Sequence, residues 1–378
     1  MPILALFLSS LLLASGGESL VYIGTYTVGA NPTAKAKGIY GFRFEPKTET
    51  ITPLGLVAET PSPSFLALHP NRRFLYAANE HDGDDRPGHD NTVSAFAIDR
   101  NTGKLTLLNQ TSSRGEGPAH LVVDRTGKAA LVGNYRSGSV ALLPIQKDGK
   151  LGDATAFDQH HGSSVKPRQA GPHAHGVAFS PDNRFALVAE HGTDQLMIYR
   201  FDPAKGSLIA NDPPFWKVSP GMAPRHLAFH PGRDFLYVLN ELGSSITALG
   251  YDAGKAGMGE LQTLSTLTPG FTGQNTTAEI QVDRAGRFLY ASNRGHDSIA
   301  VFAIDSTWGM LSLVELTPTG GKTPRSFSLD PSGAFMFVTN QDSDNIVIFR
   351  VDPKSGRLTP AGRTLEVPTP VCVPFVAK

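Results

Sequence analysis

Cysteine is nearly missing from this chain: Cys372 is the single one in 378 residues. An internal disulfide is therefore excluded, and a cysteine-built metal site is not expected. A surplus of either charge is missing too. Lys plus Arg is 34 and Asp plus Glu is 34, a formal net charge of zero. Nucleic acid and anionic membranes select an excess of Lys and Arg, so neither is expected as a main partner. The N-terminal apolar run, "ILALFLSSLLLA" at residues 3–14, is too short for a comfortable membrane span. With "SGG" after it, the run has the form of a secretory signal peptide, although no Lys or Arg precedes it. The expectation is a leader over 1–18 and one mature unit over 19–378. That unit would have no membrane span and be periplasmic or secreted, with a cytoplasmic location as the alternative.

What the chain has in abundance is turns and repeats. Gly 39 and Pro 28 supply frequent reversals. Six stretches share one plan: "PSFLALHPNRRFLYAANE", "PAHLVVDRTGKAALVGNY", "HAHGVAFSPDNRFALVAEH", "PRHLAFHPGRDFLYVLNE", "TAEIQVDRAGRFLYASNR" and "PRSFSLDPSGAFMFVTNQ". Each is a short apolar strand, a tight turn and a second apolar strand ending in a polar pair. A third strand usually follows ("NTVSAFAID", "DNIVIFRVD"), and then a fourth. The first strands are anchored at Pro63, Pro118, Ala174, Pro224, Ala278 and Pro324, at spacings of 55, 56, 50, 54 and 46. A seventh first strand fits "TPVCVPF" at the C-terminus, where no second strand follows. The N-terminus has the complementary deficit: "LVYIGTYT" and "KGIYGFRF" have no first strand ahead of them. The pattern predicts an all-β fold, a seven-bladed β-propeller with four antiparallel strands per blade. The ring is closed by N- and C-terminal strands, which leaves no open edge. The Gly-His and Trp-Asp marks of WD40 repeats and the recurring Gly-Gly pair of kelch repeats are absent. Long inserts at 80–91, 158–171 and 211–223 are suited to walls around one mouth of the ring.

Aligned blade on blade, three columns vary in chemistry. One reads Ser64, Ala119, His175, Arg225, Ala278, Arg325, Val371. The next reads Phe65, His120, Gly176, His226, Glu279, Ser326, Cys372. The third reads Tyr26, Glu80, Tyr135, His191, Glu241, Arg294, Gln341. Variation of this kind is what a shared central pocket would produce. Arg presents a planar fork to a carboxylate or phosphate. His and Glu move protons near neutral pH once their environment tunes them. His173 and His175, two apart at a strand start, should look the same way. A zinc site needs about three protein ligands, and nothing in this spacing demands one, so no metal and no other cofactor is expected.

Taken together, "YIGTYT", "GIYGFRF", "PSFLALHPNRRFLYAANE", "PHAHGVAFSPDNRFALVAE", "PRHLAFHP" and "LYASNRG" resemble the seven-bladed lactonase family. That family includes propeller-type 6-phosphogluconolactonases and fungal carboxy-muconate cyclases. The resemblance runs from about Leu20 to the C-terminus. It implies a His, two Arg and a Glu at the site. These fall on His175 in "PHAHG", with His173 as second choice, on Arg225 and Glu241 in "PRH" and "LNE", and on Arg294 in "SNRG". One departure is "AEHGTD", where Glu190–His191 replaces the Asp-Leu of many members.

The expected catalytic set is His175, Glu241 and Arg225, with Arg294, His173, His226, Arg325 and Glu80 binding a small-molecule lactone. The implied activity is hydrolysis of a sugar-acid lactone, 6-phosphogluconolactonase-like. Water attacks the ring ester, His175 or Glu241 moves the proton, and arginines offset the developing charge. A carboxy-muconate cyclase-type cycloisomerase would need nearly the same residues. A non-catalytic propeller binding a partner over its face is a third alternative, disfavoured by the mixed His/Arg/Glu columns.

Overall fold

The computed structural model describes residues 17–27, 36–80 and 91–377. The expected leader therefore lies almost entirely outside the described residues, as does most of the 80–91 insert. Seven antiparallel sheets are arranged as blades. In the fourth blade, for instance, the strands are Pro224–Phe229, Phe235–Asn240, Ser245–Asp252 and Gly257–Ser265, paired in that order. The described helical content is two three-residue turns, Pro167–Gln169 and Gln341–Ser343.

The ring closes where the complementary deficits of the termini pointed. Pro370–Cys372 is the inner strand of the seventh blade, followed outward by Ser19–Thr25, Gly38–Glu45 and Thr50–Glu59. A last short strand, Phe375–Ala377, pairs with Ser19–Val21.

Five of the seven second strands are buried along their whole length, as in Phe185–Glu190 and Phe335–Asn340, and the other two at all but one end residue. This is why these segments read as continuous apolar runs rather than alternating ones. The outer strands, such as Leu105–Ser112, are mostly exposed or half-buried. Apolar side chains fill the seven gaps between neighbouring blades. Leu187 and Ile198 meet Leu236 and Val238 between the third and fourth, and Val21 and Phe44 meet Phe335 and Phe337 at the closing joint. Tyrosines of second strands tie blade to blade: Tyr22, Tyr76, Tyr237 and Tyr290 donate to the carbonyls of Gly103, Gly149, Gly309 and Gly356 at 3.0–3.1 Å. Gly309 must be glycine there, because its φ is +68° and a Cβ would stand 2.6 Å from the Phe235 ring.

Two repeated backbone devices build the channel mouth. First, every inner strand has a register shift near its start. Pro224 pairs with Asn240 and His226 with Leu239, so Arg225 is the extra residue. Equivalent shifts fall at Ser64, Ala119, His175–Gly176, Ala278–Glu279, Arg325 and Val371. A bulge re-aims the side chains it carries, and here it turns two adjacent columns towards the axis. The proline opening five of the seven strands suits the first position of a strand, where the ladder can do without an N–H donor. Second, the residue after the second strand is pinned to the backbone ahead of the inner strand. Glu241 N–H donates to Ala223 O (2.7 Å), Tyr135 to Gly117 (2.7 Å), Glu80 to Ser62 (2.9 Å) and His191 to His173 (3.0 Å).

Candidate active site

The centre of the mouth is Glu241, which is fully buried. Arg168 Nη1 lies 2.9 Å and Arg294 Nη2 3.0 Å from Oε1, and Arg225 Nε lies 3.1 Å from Oε2. The Arg225 contact lacks hydrogen-bond alignment and is a charge contact. His191 Nε2 is 3.8 Å from Oε2, too far for a hydrogen bond. Burial alone would raise the Glu241 pKa. Arg294 and Arg225, with His191 and Arg168, outweigh it and hold the carboxyl well below the usual range. Glu241 is therefore a fixed anion. Burial and the neighbouring Arg294 push the Arg225 guanidinium down to about 9, which leaves it cationic at neutral pH.

His175 and His226 lie beside this cluster, their rings 5.1 Å apart. Burial, then Arg225, holds both imidazoles far below their ordinary pKa, so both are neutral. Arg225 Nη1 donates to His226 Nε2 (3.2 Å), which fixes the His226 proton on Nδ1, directed to Glu279 Oε1 (3.0 Å). Burial raises the Glu279 pKa. Arg225 also donates to the Ala278 carbonyl. His175 Nδ1 is buried and has no hydrogen-bond partner among the described residues.

His173 precedes the inner strand, which begins at Ala174, and His175 sits on its bulge. Both rings lie against that of Tyr135. His173 stacks on it at 4.7 Å, while His175 meets its edge at 5.4 Å. His173 Nδ1 donates to the Tyr135 carbonyl at 2.9 Å. Across the mouth, Glu80 and Arg325 form a second group through Tyr26. Arg325 Nη2 donates to the Tyr26 hydroxyl (2.6 Å), which donates to Glu80 Oε2 (2.6 Å). Arg325 is near enough to help depress His175 and His226. All eight residues singled out from the sequence thus face one mouth, in two groups. Among the described residues, no group of three or more His, Cys, Asp and Glu side chains is arranged to hold a metal ion.

Sequence reasoning missed Arg168, which is in the 158–171 insert. This insert is well anchored. Gln169 Nε2 donates to His191 O (2.8 Å), and Ser164 Oγ donates to Asp194 Oδ2 (2.5 Å). Asp194 also accepts from Gly221 N and Ala223 N (2.6 Å each), so one carboxylate ties the 158–171 and 211–223 inserts together beside Arg225. His191, present in the third column but not chosen, lies fully buried against Glu241, and burial moves its pKa down to about 4. The neighbouring Glu190 stands where five blades have Asn79, Asn134, Asn240, Asn293 or Asn340. It accepts from the His173 N–H and pairs with buried His160, whose Nε2 meets Tyr199 Oη at 2.8 Å.

Known proteins share this architecture over most of its length. The family model described as a lactonase, seven-bladed β-propeller, matches residues 20–375. A 6-phosphogluconolactonase of Bacillus subtilis (strain 168) is 35% identical over 355 residues, covering 94% of this chain and 97% of its own. One of Formosa agariphila is 33% identical over 80% of this chain and 83% of its own. The solved structure of a periplasmic gluconolactonase of Pseudomonas aeruginosa superposes with a TM-score of 0.89 at 32% identity, covering 96% of this chain and 99% of that one. With its seven blades, its closure by both termini and these matches, the chain belongs to the seven-bladed β-propeller lactonase family.

Proposed function

We propose that this chain is an exported enzyme that hydrolyses lactones of sugar acids at the mouth of the ring. The observation that carries the reading is the buried Glu241 anion clamped by Arg225 and Arg294, with a neutral His175 beside them. In this mechanism the two guanidiniums offset the oxyanion that forms when water attacks the ring carbonyl. His175 takes the proton from that water and returns it to the departing ring oxygen. Glu241 is a poor base, because guanidiniums occupy both of its oxygens. Its role is to hold the two arginines side by side against their mutual repulsion. Names of relatives support the substrate class, and the 3–14 segment supports export. An exported enzyme would seldom meet a phosphorylated intracellular metabolite, so an unphosphorylated lactone is the expected natural substrate.

A lactone panel scored by proton release tests the reading, with carboxy-muconate included for the ring-closing alternative. His175→Gln should lower kcat by about a hundredfold or more, the scale for losing one proton-transfer group, while exposed Lys322→Ala leaves it unchanged. Equal activity in both variants would remove His175 from the reaction. N-terminal sequencing of the native protein should begin between Ser15 and Leu20. A mature chain retaining Met1, with strong preference for the phosphorylated lactone, would overturn the exported reading.

A further inference from the structure

Three guanidiniums surround one carboxylate, and they differ in kind. Arg225 and Arg294 rise from the bulge and from the end of a second strand. Their side chains are 3% and 14% exposed, and each also donates to a backbone carbonyl, Ala278 or Thr277. Together they already outweigh the single charge of Glu241. Arg168 comes from the insert, is half exposed, and has Nη1 on Glu241 and Nη2 on the Tyr135 hydroxyl at 3.1 Å. A pair with one partner in solvent is screened and weak. Arg168 can therefore leave Glu241 without stranding a buried charge, whereas Arg225 and Arg294 cannot.

The backbone beneath Arg168 is nonetheless fixed. Gln169 is fully buried and holds both sides of the turn, accepting from Ser164 N at 2.9 Å and donating to His191 O. A mobile guanidinium on a rigid base, at the solvent edge of a mouth with more arginine than carboxylate, suits recognition of a second negative charge on the substrate.

The geometry points to Arg168 as the specificity-determining residue that reads an anionic substituent, a carboxylate or a phosphate, on the lactone. Its planar fork can take two oxygens of either group. The Tyr135 hydroxyl beside it is a second polar contact, and His173 backs the Tyr135 ring. The assignment rests on the lactonase reading, and it separates two tasks. Buried arginines serve the reacting ester, and the loop arginine serves the charge at the far end of the substrate.

Steady-state kinetics of the full chain on three lactones test this. Glucono-δ-lactone is neutral, its 6-phosphate carries a phosphate, and glucaro-1,4-lactone carries a carboxylate. Arg168→Met should raise KM for the charged lactones about tenfold with kcat held within about twofold, and change glucono-δ-lactone kinetics less than twofold. Arg168→Lys should recover part of the loss. Preference among the two charged substrates tells phosphate from carboxylate. Parallel loss on neutral and charged lactones, or no change on any, would overturn the assignment. If the wild type opens no lactone, the lactonase reading itself fails. Calorimetric binding of 6-phosphogluconate then decides the anion site separately: weakening of about tenfold in Arg168→Met supports it, and unchanged binding refutes it.

Discussion

Replacing Glu241 by Gln preserves shape and removes one charge, and its cost can be worked from the contacts. Arg168 is half exposed, so its share is screened and contributes about 0–1 kcal/mol. Arg225 and Arg294 are not screened, and the amide would turn an N–H donor towards one of them. Leaving a buried charge without its partner costs about 3–5 kcal/mol. At about 2.1 cal/mol/K of unfolding entropy per residue, a chain of this length loses about 4–6 °C in Tm. Differential scanning calorimetry at pH 7 reads that shift, and kcat from proton release should fall about a hundredfold. Acid titration of Tm adds a signature. The folded pKa of Glu241 lies below its unfolded value of about 4.3, so between the two the unfolded chain binds more protons. Stability from this group is complete above the unfolded value and is lost as pH falls towards the folded one. The variant should lack this part of the acid destabilisation. A Glu241→Gln protein that melts and turns over like the wild type at pH 7 would refute the clamp.

Two other expectations concern closure and protonation. Deleting residues 370–378 removes the inner strand of the seventh blade and buried Val371, Val373 and Val376. At about 1.5–3 kcal/mol per buried valine, this loss rivals the about 5–15 kcal/mol that holds a whole domain together. Circular dichroism should then find no cooperative transition at the wild-type temperature, and an unchanged melt would mean the joint is dispensable. The pH profile of kcat/KM should run flat through pH 6.5 and decline only in more acid solution, because burial holds His175 and His191 in the neutral form. An inflection at an ordinary imidazole pKa would point to an exposed histidine as the base.

The repeat, the closing strands and the columns were legible because each rests on periodicity. Proline or alanine opens an inner strand, apolar runs mark buried strands, and chemistry varies only where the channel is lined. The limits are equally local. Strand alternation was the wrong ground for pairing His173 with His175, because His173 precedes the strand and His175 sits on its bulge. Arg168 was illegible because its insert has no counterpart in other blades to align with. The departure at Glu190–His191 was visible as a mismatch, but its meaning was not. The partner of Glu190 is His160, thirty residues upstream in the same insert, and His191 answers to Glu241 in the next blade.

The register shift at the head of every inner strand also bears on how such a ring can change. A residue that the hydrogen-bonded ladder skips contributes little to the sheet, so its identity is free to follow other demands. Ala119 and Ala278 are such positions, and Ser64 and Val371 are two more. Each is an address on the channel wall where a basic, acidic or imidazole side chain could be installed without redrawing a blade. New specificities can therefore be written into the ring one position at a time, while the apolar seams between blades carry the burden of holding it shut.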